Sequence, residues 1–153
     1  NEDVKKIAEY VPLETLLKEC DVITLHTNAT AENHHLIDAK AIETMKPGAV
    51  IINTARGKLI DSDALLKALE SGQVGAASLD VLENENGLYY YDRMGDVIPN
   101  PELAALRAMP NVLLTDHTAF YTYEAVKSMV LSVLESAAAF AEGLPTRHDV
   151  TNL

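Results

Sequence analysis

The sequence is poor in cysteine, in positive charge and in long apolar runs, and each shortage closes off a class of protein. Cys20 is the single cysteine. Without a second thiol no internal disulfide forms, so nothing in the chain calls for an oxidising compartment. Lysine and arginine number 12 against 23 aspartates and glutamates, a net charge of −11. A nucleic-acid surface needs clustered Lys and Arg, so no nucleic-acid partner is expected. No apolar stretch approaches the roughly 20 residues of a membrane span, and the opening "NEDVKKIAEY" does not read as a signal peptide. The expected setting is the cytoplasm, away from membranes.

What the sequence does contain is the makings of one ordinary domain. It has 153 residues, 48% of them hydrophobic and 23% charged, enough to bury a core. Short apolar strands alternate with helices. "YVPLETLLKEC" spaces Leu13, Leu16, Leu17 and Cys20 as a helix, with Pro12 suited to its first turn. "DAKAIETMKPG" opens on Asp38 as an N-cap and stops at Pro47-Gly48, while "DSDALLKALESG" is closed by Gly72. "DVITLH", "AVIINTARG", "GAASLDVL" and "NVLLTDH" read as strands, the third made of small residues suited to a crowded sheet centre. The longest helix is expected over 121–142, ahead of a tail at 143–153. On it Val126, Met129, Val130, Val133, Leu134 and Ala137 form an apolar stripe expected to pack in a core.

Apolar strands separated by helices predict a parallel sheet covered on both faces. Right-handed crossovers bring all the strand carboxyl ends to one edge, where open α/β sheets bind ligands. The first strand delivers His26, Thr27 and Asn28 there, and the second Asn53, Thr54 and Arg56. The third delivers Asp80 and then Glu83 and Glu85; the fourth delivers Asp116 and His117. Residues 83–110, with "YYYDRMGD" and two prolines, interrupt the pattern. They suit either a functional excursion or a surface loop packed by its own tyrosines. "PELAALRAM" within them is a short helix begun by Pro101.

An arginine, a carboxylate and a histidine on one edge make chemical sense together, although each alone has an ordinary surface explanation. An arginine fork binds a carboxylate bidentately. A histidine beside a carboxylate has its charged form favoured, and then donates a proton to a developing alkoxide. A substrate with a carboxylate next to a carbonyl suits all three. His34-His35 near Asp38 is expected to be a surface pair, because adjacent histidines on a strand point apart and lack metal-ligand spacing; no metal is expected. His148 is expected to be solvated.

"VIINTARGKLIDSDALLKALESGQVGAASLDVLENE" followed by "NVLLTDHTAFYT" resembles the NAD-dependent D-2-hydroxyacid dehydrogenases. The "YYYDRMGD" excursion and the "HTAFYT" ending are most similar to the D-lactate dehydrogenase branch. The resemblance covers essentially the whole chain. It implies the carboxyl-terminal part of a Rossmann-type doubly wound sheet, a single partial nucleotide-binding domain over 1–153. It implies that Arg56 orients the substrate carboxylate, that His117 donates the proton, and that Glu85 supports His117. It further implies NAD as cofactor, with Asp80 near the nicotinamide, Asn33 and Thr54, Ala55 and Arg56 along the cofactor, and Thr27-Asn28 beside the adenosine half. The implied reaction is hydride transfer between NADH and a 2-oxo acid such as pyruvate.

Three departures qualify the resemblance. No G-x-G-x-x-G is present, and "GQVG" is a helix-to-strand turn. The glycine turn and the family's amino-terminal substrate lobe are therefore expected before Asn1, which makes the chain a carboxyl-terminal fragment. Asn28 stands where the family has a proline, and Asp116 replaces the proline before the histidine, bringing a second negative charge beside the imidazole. A sheet cut in this way has an exposed apolar edge, so a homo-oligomer is expected. The alternative is an inactive relic or dimerisation module that keeps only the half-sheet and the long helix.

Overall fold

The structure, a computed structural model, describes residues 3–98 and 100–146. It divides into two compact units, one ending at His117 and the other beginning at Thr118. Among the described residues no helix is long and apolar enough to cross a membrane.

The first unit alternates helix and strand: α1 (Leu13–Glu19), β1 (Val22–Leu25), α2 (Ala39–Thr44), β2 (Ala49–Asn53), α3 (Ser62–Ser71), β3 (Val74–Leu79), α4 (Pro101–Ala108) and β4 (Val112–Leu114). Short polar side chains start the helices by taking up orphan amides. Asp38 accepts from the Ala41 N–H at 2.7 Å, Asp61 from Ala64 at 3.0 Å and Asn100 from Leu103 at 2.7 Å. Gly72 ends α3 in the left-handed conformation at φ 79°. Pro12 stands at the N-cap of α1, one position ahead of the expected first turn.

The four strands lie in the order β1-β2-β3-β4, all parallel. This is the parallel α/β sheet that the alternation of strands and helices implies. Ile23, Ile51 and Ala77 are in register, as are Leu25, Asn53 and Leu79, and all six are buried. The intervening rows behave differently: Val22 and Thr24 are exposed, and Val50, Ile52, Ala76 and Ser78 are half-buried. With strands added in sequence order, successive crossovers of one hand stack their helices on one side, and α1, α2, α3 and α4 do touch one another as a row. Gly75 at the start of β3 answers to crowding. A Cβ on Gly75 would come within 2.5 Å of the Gly48 carbonyl oxygen.

The second unit is built on α5 (Tyr123–Ala141), capped by the Thr122 hydroxyl, which accepts from the Ala125 N–H at 3.1 Å. No residue of α5 is buried. Val130, Val133 and Leu134 are more than half exposed, so the stripe expected in a core is instead an open face. Among the described residues its own unit holds no second helix or strand to cover it. The outer part of the expected tail, with His148, lies outside the described residues.

Gln73, between α3 and β3, performs a task that its position does not advertise. Its amide donates to the carbonyls of Ile42 and Met45, both at 3.0 Å, and so closes the carboxyl end of α2. Gln73→Ala is expected to lower stability by about 1–2 kcal/mol through those unpaired carbonyls, measured as a shift in the urea midpoint at unchanged slope.

Candidate functional site

The carboxyl end of β2 is shaped by a buried amide. Asn53 is 1% exposed; its side-chain oxygen accepts from the Ala55 N–H at 3.0 Å and its nitrogen donates to the Arg56 carbonyl at 2.9 Å. The turn from Thr54 to Arg56 is therefore wound around Asn53. Gly57 follows because nothing larger fits: a Cβ there would fall 2.0 Å from the Leu82 carbonyl carbon and oxygen. That contact presses the turn bearing Arg56 against the loop bearing Glu85. Neighbouring strand ends are joined in the same way. The Asp80 N–H donates to the Asn53 carbonyl at 2.9 Å, and the His117 N–H to the Asp80 carbonyl at 2.9 Å.

His117 meets Glu85 directly, with Nδ1 2.8 Å from Oε1. The other Glu85 oxygen accepts from the Leu82 N–H at 2.8 Å, so the carboxylate is fixed before it meets the ring. The side chains are 29% and 16% exposed, sheltered yet reachable. A carboxylate at Nδ1 makes that nitrogen the donor and leaves Nε2 for proton exchange. His117 has φ 53°, in the left-handed region. Its carbonyl accepts from the Tyr90 hydroxyl, and the two rings lie 6.3 Å apart.

Arg56 and Glu85 line one cavity of about 310 Å³, together with Ala29, Gly57, Lys58, Leu82, Asn84 and Asn86. Two of the three expected groups are thus in contact, and the third shares a wall with Glu85. The Arg56 guanidinium is folded over its own turn, donating to the Ala55 carbonyl at 2.6 Å. Asp80 is buried and accepts from the Thr115 hydroxyl at 2.6 Å. Thr27, Asn28 and Thr54 are exposed at the strand ends and Ala55 is half-buried. Asn33 braces its own loop, accepting from the Thr30 N–H and donating to the Asn28 carbonyl, both at 2.7 Å.

The Asp116 carboxylate pairs with Arg107 at 3.1 Å. One expectation is corrected here: His34 and His35 do not point apart. They sit on a turn, and φ 53° at His35 brings the rings to 3.9 Å, both facing Glu83. The sequence brings Asn53 to the edge without indicating its task of winding the turn, and it gives no sign of Tyr90 at the site. An amide at the end of an apolar strand is a signal for the first, whereas Tyr90 is joined to His117 only through tertiary folding.

A parallel sheet with polar and charged groups gathered at its carboxyl edge is the architecture on which nucleotide-binding domains are built. Residues 1–119 match the family model described as "D-isomer specific 2-hydroxyacid dehydrogenase, NAD binding domain", and the chain belongs to that family of NAD-dependent oxidoreductases. It is 44% identical over 140 residues to an aromatic 2-oxoacid reductase of Clostridium sporogenes, covering 92% of this chain and 42% of that protein. It is 44% identical over 135 residues to the D-lactate dehydrogenase of Escherichia coli, covering 88% and 41%. The crystal structure of a D-lactate dehydrogenase from Treponema pallidum superposes with a TM-score of 0.93 at 38% identity, covering 99% of this chain and 46% of that one. The D-lactate dehydrogenase of Lactobacillus jensenii, solved with NAD+, superposes at 0.89 with 34% identity, covering 99% and 46%. The chain spans less than half the length of these relatives.

The chemistry of these residues fits NAD, the family's cofactor: Arg56 and Glu85 bound the cavity, Asn84 and Asn86 add amides to its wall, and His117 is held on Glu85. For the pyrophosphate the sequence holds no G-x-G-x-x-G.

Tyr89, beside this site, has a buried hydroxyl without a hydrogen-bond partner among the described residues. Burial, then the charges of Asp116 and Glu85, push its phenol up to about 12 from the usual 10. The folded protein holds this proton more tightly than the unfolded chain does. The resulting stability is present below pH 10 and lost as pH rises from about 10 to about 12. Tyr89→Phe is expected to flatten that part of the profile and to leave neutral-pH stability unchanged or higher by about 1 kcal/mol, as read by urea unfolding across the alkaline range.

Proposed function

We propose that the chain forms the NAD-binding and proton-transferring part of a D-2-hydroxyacid dehydrogenase that reduces a small 2-oxo acid such as pyruvate. The observation that carries this is the 2.8 Å contact between His117 Nδ1 and Glu85, on the wall of the cavity that Arg56 also lines. NADH, when bound, supplies the hydride for the carbonyl carbon. Arg56 turns from the Ala55 carbonyl to hold the substrate carboxylate in a bidentate pair. His117 gives its Nε2 proton to the oxygen as negative charge develops there. Glu85 keeps the ring oriented and compensates its charge. Thr27, Asn28, Thr54, Ala55 and Asp80 border the cofactor, with Asn33 holding the loop beside it. The setting is cytoplasmic, where Cys20 stays a thiol.

NADH oxidation with pyruvate and with a branched 2-oxo acid tests this. His117→Ala is expected to lower turnover roughly 100-fold or more, with NADH affinity little changed. The 153-residue chain alone is expected to bind NADH weakly and turn over slowly, since its residues hold no glycine turn for the pyrophosphate. Turnover insensitive to His117→Ala would reject the assignment and favour a packing module.

We also propose that the chain associates with copies of itself. β1 is an edge strand with Val22 54% exposed, and the apolar face of α5 is open. Sedimentation is expected to show dimers or larger species; a stable monomer at high concentration argues against association.

A further inference from the structure

His34, His35 and Glu83 form a cluster outside the dehydrogenase chemistry. The backbone that carries it is pinned. His35 N–H donates to the Lys58 carbonyl at 2.9 Å and Ile37 N–H to the Leu59 carbonyl at 2.9 Å, while Asp61 N–H returns to the Ile37 carbonyl at 3.1 Å. A left-handed φ at a residue other than glycine is uncommon and costs free energy. At His35 it stacks two imidazoles over one carboxylate oxygen. His35 Nε2 lies 2.8 Å from Glu83 Oε1, and His34 Nε2 lies 3.6 Å from the same atom.

We propose that these three side chains bind one divalent transition-metal ion of the Zn²⁺ class. Their ligand atoms all lie within 4.8 Å of one another. A tetrahedral ion with bonds of about 2.0–2.1 Å holds its ligands roughly 3.3 Å apart, so modest side-chain rotation closes the site. Two imidazoles and one carboxylate suit zinc, nickel or copper rather than the oxygen-loving calcium or magnesium. His35 Nδ1 faces Asp61 Oδ2 at 3.8 Å, beyond a hydrogen bond as it stands but close enough for ring rotation toward a metal to form the carboxylate–histidine bond that orients metal-bound imidazoles. Asp61 is itself held by its cap on α3. Glu83 is 17% exposed while His34 is 49% exposed, which leaves an open side for entry and for a fourth, water ligand. A loop tie between His35 and Glu83 would explain one of these contacts, but not the placement of His34.

The test is titration of chelator-treated protein with Zn²⁺ by calorimetry and with Co²⁺ by visible absorption. One ion per chain is expected, with the intense visible bands of four-coordinate Co²⁺. His34→Ala, at an exposed position, is expected to weaken Zn²⁺ binding at least about tenfold and to abolish those bands, and Asp61→Asn to weaken binding by about tenfold while keeping the helix cap. His26→Ala, as a control, is expected to leave binding unchanged. Glu83→Gln is read alongside circular dichroism, so that loss of fold is separated from loss of a ligand. No binding to the wild-type chain, or binding that survives both His34→Ala and Glu83→Gln, overturns the proposal.

Discussion

The carboxamide of Asn53 and the backbone bonds that radiate from it hold the candidate site together. The amide winds the turn that carries Arg56; the carbonyl of the same residue receives Asp80, whose carbonyl in turn receives His117. Three strand ends are thereby tied by short hydrogen bonds running across the sheet. An amide suits this task because it donates and accepts at once and carries no charge into a position 1% exposed. The close approach of Gly57 to Leu82 adds the remaining constraint, since it sets the distance between the arginine turn and the glutamate loop.

On this frame the chemistry is divided between rigid and adjustable parts. Glu85 is fixed by a backbone amide before it reaches His117, so the imidazole meets an anion that is already oriented. Such preorganisation is what proton transfer gains from a folded scaffold. Arg56, by contrast, is an exposed side chain folded on its own carbonyl-bearing turn. It is the member of the trio with a long stem, and in the proposed reaction it is the one that reaches for a carboxylate. The chain spans less than half the length of its relatives, and its sequence has no glycine turn of the G-x-G-x-x-G kind.

The alternation of strands and helices, the caps at Asp38 and Gly72 and the shared edge of the strand ends were legible in the residues, because each depends on local pattern or on the handedness of crossovers. The pairing of Glu85 with His117, by contrast, came from the family resemblance. The difference between the two rows of the sheet was not legible: Val22, Val50 and Ile52 are as apolar as their buried neighbours, and only the register separates them. The partner of Asp116 was hidden for a different reason: Arg107 belongs to α4, and which surface charge meets which depends on packing. The turn at His34-His35 was misjudged as a strand because a left-handed histidine leaves no mark in the sequence.

His117 itself has a left-handed backbone, at a cost of about 1–2 kcal/mol that a glycine would escape. Its N–H and carbonyl are nonetheless both engaged, by Asp80 and by Tyr90. Chain geometry and side-chain chemistry therefore make opposing demands at one position. A library selected only for thermal resilience would drift there toward glycine or asparagine, whereas one selected for proton transfer would keep the imidazole and carry the strain. The position on which the proposed chemistry turns is thus one where folding by itself would choose another residue.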